Sequence, residues 1–325
     1  MDQPRQPKDL QGLLKFCIEA TKAEDAPEDA EATLAAMDPQ RRQWLEQALS
    51  GMSVDVIKEL VEAIKVLNSS SVQDPNASEE EIEKIEYVFD CIGDWVGQVD
   101  MANNFHKVGG FDSLSKCLKS PHSSIRCQAA NIMAELSQNN PYCQENFVKE
   151  QFLELLFQIL TSDVECQVKA MYAISCIIRE CPMAQGKFLE MNGPSLVMNT
   201  TMESKSDKLR IKACFFISAL CEENPTVKQA FIDMGFPRQI LTLMQMEDHQ
   251  QSHEHMTRAL LVVLTDEVKK ELVNSSELNL KSFLQERLDA IKGQEEFDEE
   301  RTYLQEIAKV CYGGQFVTDS KSVDR

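Results

Sequence analysis

One phrase returns three times in this chain, and it leaves little freedom for the fold. It runs from Ile125 to Pro141, from Cys166 to Pro182 and from Leu209 to Pro225, each time as a mostly apolar, alanine-containing stretch that closes on a proline. The closing prolines are 41 and 43 residues apart, and each is followed six residues later by a phenylalanine: Phe147, Phe188 and Phe231. Running the register backwards reaches Phe105, 42 residues before Phe147. A period near 40 carried by helical apolar spacing is the signature of an armadillo or HEAT solenoid, in which each unit buries its apolar face only against its neighbours.

Each period divides into three helices. A short first helix holds the phenylalanine, over 101–107, 141–148, 183–189 and 226–234. A leucine-type second helix covers 111–118, 152–160, 194–202 and 237–246. The phrase itself is the third, taken in the fourth unit by 253–265. Three helices per unit favour armadillo over HEAT. The fold class expected is all-α: an armadillo-type right-handed superhelical solenoid of about four repeats over 99–266, with helical caps at both ends. Only 12 glycines and 11 prolines in 325 residues agree with helices rather than strands.

Residues 1–37, ahead of the repeats, form a flexible segment. It holds a short amphipathic stretch at 10–21, where Leu10, Leu13, Leu14, Phe16 and Ile18 fall roughly on one helical face; residues 22–37 are an acidic linker. Such a stretch either folds on a partner or packs back onto the body, and the pattern leaves both open. Asp38 before Pro39 is an N-cap signal for the capping helices of 38–98, expected at 39–50 and 53–67 with a break at Gly51. A capping box at Ser78 and Glu81 opens a further long helix. Beyond Asp266 the register fades, and two antiparallel capping helices, 276–292 and 294–312, are expected within 267–312, followed by a polar, disordered tail over 313–325.

Net charge is −20. Nucleic-acid binding rests on Lys and Arg displacing counterions from phosphates, so this balance argues against it. No stretch approaches the roughly 20 apolar residues that span a bilayer, and the N-terminus shows no apolar core of a secretory signal. The eleven cysteines form no C-x-x-C pair and are odd in number; they read as reduced, small core residues of a cytosolic protein. His249, His253 and His255 have metal-like spacing but straddle a loop and a helix start, and read as a surface loop. There is no phosphate-binding glycine loop, no zinc-protease motif and no nucleophile–base pairing. No catalytic residue, metal site or cofactor is expected, and the chain is read as a non-enzyme.

In a solenoid the third helices stack side by side and their exposed positions form a ladder along the concave face. Aligning the phrases puts Asn131 and Glu135, Tyr172 and Cys176, and Phe215 and Ala219 on the outward i, i+4 positions. Gln128, Lys169 and Lys212 lie one turn before these, and Gln138, Arg179 and Glu222 one turn after. Aromatic residues walled by Lys, Arg and Glu suit a protein partner; the alternative is that Tyr172 and Phe215 are core and the charges are merely solvated. The residues assigned to the partner surface are Lys169, Tyr172, Arg179, Lys212, Phe215 and Glu222, with Asn131 and Glu135 flanking.

Several stretches resemble the heat shock protein 70-binding protein family of armadillo-type nucleotide exchange factors. They are Leu10-Gln-Gly-Leu-Leu-Lys, Arg41-Arg-Gln-Trp-Leu45, Asp100-Met-Ala-Asn-Asn-Phe105, the run from Val168 to Glu180, His253-Glu-His255, and the closing Asp324-Arg325, so the likeness covers nearly the whole chain. The resemblance implies a monomeric, cytosolic co-chaperone whose curved body embraces lobe II of the nucleotide-binding domain of a heat shock protein 70 chaperone and speeds ADP release. It implies that the segment bearing Leu10, Leu13, Leu14, Phe16 and Ile18 acts on the chaperone's substrate-binding domain as a release segment. An armadillo scaffold binding an extended peptide is the rival; scaffolds of that kind use asparagine ladders, and Glu135, Cys176 and Ala219 stand at that position here.

Overall fold

A computed structural model describes residues 56–313. The amphipathic stretch at 10–21, the linker, the Asp38–Pro39 cap, the helix expected at 39–50 and all but the first residue of the tail lie outside the described residues. Helices α1 (Val56–Leu67) and α2 (Glu79–Val96) come first. Three-helix units follow: α3 (Val99–Lys107), α4 (Gly110–Cys117) and α5 (Ser123–Ser137); α6 (Pro141–Lys149), α7 (Phe152–Ser162) and α8 (Gln167–Ile178). The next two are α9 (Pro182–Glu190), α10 (Gly193–Glu203) and α11 (Asp207–Glu223), then α12 (Pro225–Asp233), α13 (Phe236–Met246) and α14 (Ser252–Val262). The chain continues through α15 (Asp266–Asn274), α16 (Leu280–Ala290) and α17 (Asp298–Tyr312). The described residues contain no strand, and the architecture is an α-solenoid.

Local chemistry sets the boundaries. Pro141, Pro182 and Pro225 sit at the first position of α6, α9 and α12, where the missing N–H costs no helical bond. Asn140 caps α6 by accepting from Cys143 N at 3.3 Å, and Asn224 caps α12 by accepting from Thr226 N at 2.9 Å and Val227 N at 3.2 Å. The capping box of α2 forms: Glu81 N donates to Ser78 Oγ at 3.3 Å and Ser78 N donates to Glu81 Oε2 at 3.0 Å. Between first and second helix every unit turns through one left-handed residue: Gly109, Gln151, Asn192, Gly235 and Asn279.

The repeating phenylalanines form the spine of the core. Phe105, Phe147, Phe188 and Phe231 are each wholly buried, a burial that contributes about 1.5–3 kcal/mol apiece. In the second and fourth units the ring meets a neighbouring ring edge-on, Phe147 with Phe152 at 5.0 Å and Phe231 with Phe236 at 5.6 Å. In the first and third units glycine replaces that neighbour, because a Cβ on Gly110 would lie 2.5 Å from the Phe105 ring and one on Gly193 would lie 2.2 Å from the Phe188 ring.

Neighbouring units are also pinned by partly buried polar contacts. Arg126 on α5 pairs with Asp163 after α7, its Nε 3.0 Å from Asp163 Oδ2, and Arg210 on α11 pairs with Glu247 after α13, its Nη2 2.9 Å from Glu247 Oε1. Farther on, Arg287 forks onto Glu300 at 2.8 and 3.1 Å, and His249 reaches the same carboxylate at 3.0 Å. Cys127 and Cys166 are joined as a disulfide between α5 and the residue capping α8, with Cα atoms 4.9 Å apart.

Three expectations need correction. The cysteines are not all reduced, since helix stacking brings the Cys127 and Cys166 side chains together although the two lie in different phrases. The histidine cluster is not a surface loop: His253 is 2 % exposed inside α14, and its Nδ1 accepts from Gln250 N at 3.0 Å. No group of His, Cys, Asp and Glu able to hold a metal ion occurs among the described residues. Finally, the segment after α14 holds three helices rather than two, because Thr265 caps α15 by accepting from Val268 N at 3.3 Å.

Candidate functional site

The third helices do form one row. Helix α2 packs on α5, α5 on α8, α8 on α11, α11 on α14 and α14 on α17, so the capping helices at both ends continue the line of the repeats. Their outward stripe stays at the surface because the buried positions alternate around it. On α8, Ala170, Met171, Ala173 and Ile174 are buried while Tyr172 between them is half-buried, and on α11 Cys214 and Phe216 are buried while Phe215 is 38 % exposed. Tyr172 and Phe215 therefore reach the surface rather than filling the core.

Side chains of the stripe hold one another across the helices. Asn131 Nδ2 donates to Glu135 Oε1 at 2.7 Å, and Lys169 Nζ donates to Asn131 Oδ1 at 2.7 Å, linking α5 to α8. Gln138 Nε2 donates to the Tyr172 hydroxyl. Lys212 Nζ stands 4.4 Å above the Tyr172 ring and Arg179 Cζ 5.2 Å from the Phe215 ring, so cations from adjacent helices cap both aromatic faces. Arg179 lies 3.9 Å from Glu223, and among the described residues its Nε has no hydrogen-bond partner. Glu222 pairs with Arg258 of α14 at 3.5 Å. The eight assigned residues follow the outward side of the row: Asn131, Glu135 and Lys169 are joined by hydrogen bonds, Lys212 covers Tyr172, Arg179 covers Phe215, and Glu222, farther along α11, pairs across to Arg258.

The electrostatics follow from partial burial. Burial raises the Glu135 carboxyl, with Asp94 of α2 adding to the rise while the Asn131 hydrogen bond and Lys169 oppose it. Burial likewise raises the Tyr172 hydroxyl and pushes the Cys176 thiol up to about 11. Cys117, Cys143, Cys214 and Cys221 are pushed to about 12 by the same cause, so none is poised as a thiolate nucleophile. An open cleft of about 490 Å³ beside Tyr172 and Arg179 is floored by Gln144, whose amide donates to the Cys176 and Arg179 carbonyls at 2.8 and 3.0 Å.

The stripe also contains residues outside the eight assigned from the phrases. Gln138 stands on the wall beside Tyr172. Arg258 lies 43 residues beyond Phe215, where an extension of the register would find it. Asp90 and Asp94 on α2, and Glu299 and Tyr303 on α17, carry no repeat signal because the capping helices lack the phrase.

The family model for the SIL1/FES1/HPBP1 C-terminal domain matches residues 101–234, and the model for nucleotide exchange factor Fes1 matches residues 10–105. The chain belongs to this family. The C-terminal-domain match contains every stripe residue from Asn131 to Glu222. Hsp70-binding protein 1 of Rattus norvegicus is 29 % identical over 99 % of this chain and 90 % of its own length. Hsp70 nucleotide exchange factor FES1 of Debaryomyces hansenii is 33 % identical over 134 residues, covering 40 % of this chain and 47 % of its own. Among solved structures, a designed armadillo repeat protein superposes with a TM-score of 0.60 at 16 % identity, covering 78 % of this chain and 99 % of its own, which establishes an armadillo-type fold. No helix among the described residues is long and apolar enough to cross a membrane.

Proposed function

We propose that this chain is a non-enzymatic co-chaperone that binds the nucleotide-binding domain of an Hsp70 chaperone through the inner row of helices and accelerates ADP release. The observation that carries the reading is likeness along 99 % of the chain to a protein named for Hsp70 binding, together with family models that include a nucleotide exchange factor. Lys169, Tyr172, Arg179, Lys212, Phe215 and Glu222 form the central contacts, with Asn131 and Glu135 at their flank. Phe215 and the Arg179 guanidinium supply the aromatic and arginine chemistry that dominates protein interfaces.

The mechanism needs no residue at the nucleotide. A binder that fits the displaced arrangement of lobe II better than the closed one shifts the chaperone toward the opened state and loosens ADP. A tenfold loss of ADP affinity requires about 1.4 kcal/mol of preference for the open state, and ADP must weaken binding of this chain by the same factor. Residues Leu10, Leu13, Leu14, Phe16 and Ile18 act as the release segment toward the chaperone's substrate-binding domain. The setting is the cytosol and the working form a monomer.

The rival of a peptide-binding scaffold fits the stripe less well, because Glu135, Cys176 and Ala219 offer no repeated amide to an extended backbone. Stopped-flow release of labelled ADP from the chaperone tests the proposal: the chain accelerates release, and Arg179→Glu weakens binding in a titration while the far-UV spectrum is unchanged. Equal release rates with and without the chain reject the function; unchanged affinity of the Arg179 variant rejects the stripe as the contact.

A further inference from the structure

The inner row is not uniform in charge. At its first end Asp90 and Asp94 on α2 face Glu135 on α5 across an open cleft of about 710 Å³. Asp90 and Asp94 are exposed, and among the described residues neither has a cationic side chain within ion-pair distance. The middle of the row is cationic and aromatic: Lys169, Lys212 and Arg179 surround Tyr172 and Phe215. The far end is acidic again. Glu222 on α11 pairs with Arg258 on α14, and the carboxylates of Glu254 on α14 and Glu299 on α17 lie near enough to act on one another and on Tyr303. Among the described residues only Glu222 stands within ion-pair distance of Arg258 there, so the carboxylates of Glu254 and Glu299 leave negative charge over.

Each acidic end holds one partly buried carboxylate whose charged form is disfavoured, chiefly by burial and further by neighbouring carboxylates. Burial and Asp94 raise the Glu135 carboxyl, and burial with Glu299 and Glu300 raises that of Glu254, against the pull of Arg258. Cationic groups brought to these ends would relieve the repulsion, while the middle repels them.

We infer that the inner row is a charge-registered cradle for one folded lobe whose facing surface carries an acidic centre between two basic margins. This rests on the chaperone reading for the identity of the lobe and adds to it how the lobe is aligned. Neighbouring helices lie about 8–10 Å apart, so the four steps from α2 to α14 cover roughly 35 Å and the fifth, to α17, brings the span to about 45 Å. A small domain is about 30 Å across, so one rigid lobe seated on the cationic middle reaches the inner edges of both acidic ends. An extended peptide wants the same rung at each step, and the rungs here read Glu135, Cys176, Ala219 and Val262. A polyanion is refused by both ends.

The arrangement also meets a hazard inherent in repeats. Similar units offer a partner several near-equivalent registers, and sliding the lobe along the row toward either cap brings its acidic centre toward carboxylates. Like charges brought together at an interface are what suppress wrong alignments.

The test uses the full chain and the chaperone's isolated nucleotide-binding domain as the probe, with affinity measured by titration. Asp90→Lys with Asp94→Lys at the first end, Glu254→Lys with Glu299→Lys at the far end, and Lys169→Glu with Lys212→Glu in the middle should each weaken binding about tenfold or more. Glu254→Gln with Glu299→Gln, which places no new charge against Arg258, should weaken it less but measurably, with the unfolding temperature retained. If both end pairs bind within about twofold of the native chain while the middle pair fails, the inference falls and the chaperone reading stands. If the native chain neither binds the probe nor speeds ADP release, the chaperone reading falls and takes this one with it.

Discussion

Two glycines seven residues apart should respond to the same substitution with opposite signs. Gly193 opens α10, and a Cβ there would lie 2.2 and 2.3 Å from Cδ2 and Cε2 of Phe188 and 2.8 Å from the Phe188 carbonyl oxygen. Carbon atoms in good contact are about 3.5–4.0 Å apart, so the ring would have to retreat by more than an ångström. It has nowhere to go: it is wholly buried between Phe157 at 6.2 Å and Phe216 at 5.6 Å, and the carbonyl belongs to the backbone of α9. Gly193→Ala must therefore push α10 off α9, at a cost of about 3 kcal/mol as for other overpacked cores. At about 2 °C per kcal/mol for a body of this size, the unfolding temperature should fall by roughly 6 °C. At Gly110 an added Cβ would lie 2.5 Å from its nearest atoms, carbons of the Phe105 ring, a wider approach than the 2.2 Å at Gly193, so Gly110→Ala should cost less. Gly186 is exposed in the middle of α9, and a Cβ added there would meet nothing within 4 Å, so Gly186→Ala should gain about 0.5–1 kcal/mol from helix propensity. Thermal unfolding followed by circular dichroism ranks the three, and amide exchange across α9 and α10 reports the local effect where a stack of units melts in parts. Gly193→Ala unfolding at or above the native temperature, or Gly110→Ala falling further than Gly193→Ala, would refute the packing argument.

Other outcomes follow from single contacts. Glu247→Ala strips the partner from Arg210, whose side chain is 6 % exposed and whose Nε already lacks an acceptor, and should cost about 2–3 kcal/mol in urea unfolding; Arg210→Met with Glu247→Leu should recover most of the loss, and equal losses would sink the idea of a stranded charge. Glu135 has a folded pKa raised above 4.5, so its stabilising contribution is complete below 4.5 and is lost as pH rises through the folded value. Glu135→Gln keeps the acceptor for Asn131 and should be more stable than the native chain at neutral pH, with the gap closing in acid; a gap independent of pH contradicts the burial of that carboxylate. Leu13→Ala with Leu14→Ala should leave ADP exchange intact and slow client release from the chaperone, and equal release rates would remove the role proposed for that segment.

The fold was legible where chemistry repeats along the chain and opaque where units touch one another. Pro141, Pro182 and Pro225 announce helix starts because proline is cheap only at that position, and Phe147, Phe188 and Phe231 mark the spine because every unit must bury the same corner. The pins between units give no such signal. Arg126 with Asp163 and Arg210 with Glu247 are equivalent contacts two units apart, but the intervening unit has Gln167 there, which donates instead to the Leu160 carbonyl of its own unit at 2.9 Å. Cys127 and Cys166 escaped for a related reason: their register differs from that of the phrases, so alignment sets Cys127 opposite Val168 rather than its partner.

The outward stripe of the inner row was half legible by the same logic, and its ends explain why. Inside the phrases, alternation of buried and outward positions fixes Tyr172 and Phe215 at the surface, since Met171 and Ala173, and Cys214 and Phe216, already fill the core beside them. Beyond the phrases the units keep their geometry while changing their residues. The spine position after Phe231 is held by Leu272, wholly buried 41 residues on, and the left-handed turn after Gly235 by Asn279. Helices α15 to α17 are therefore a fifth unit whose proline and phenylalanine have gone, and α17 extends the inner row beyond α14. A leucine can fill the corner and an asparagine can make the turn, so nothing physical obliges the signature to persist in a terminal unit. Its outward face is free to differ as well, which is why the carboxylates of α17, like those of α2 at the other end, surround a cationic middle instead of repeating it.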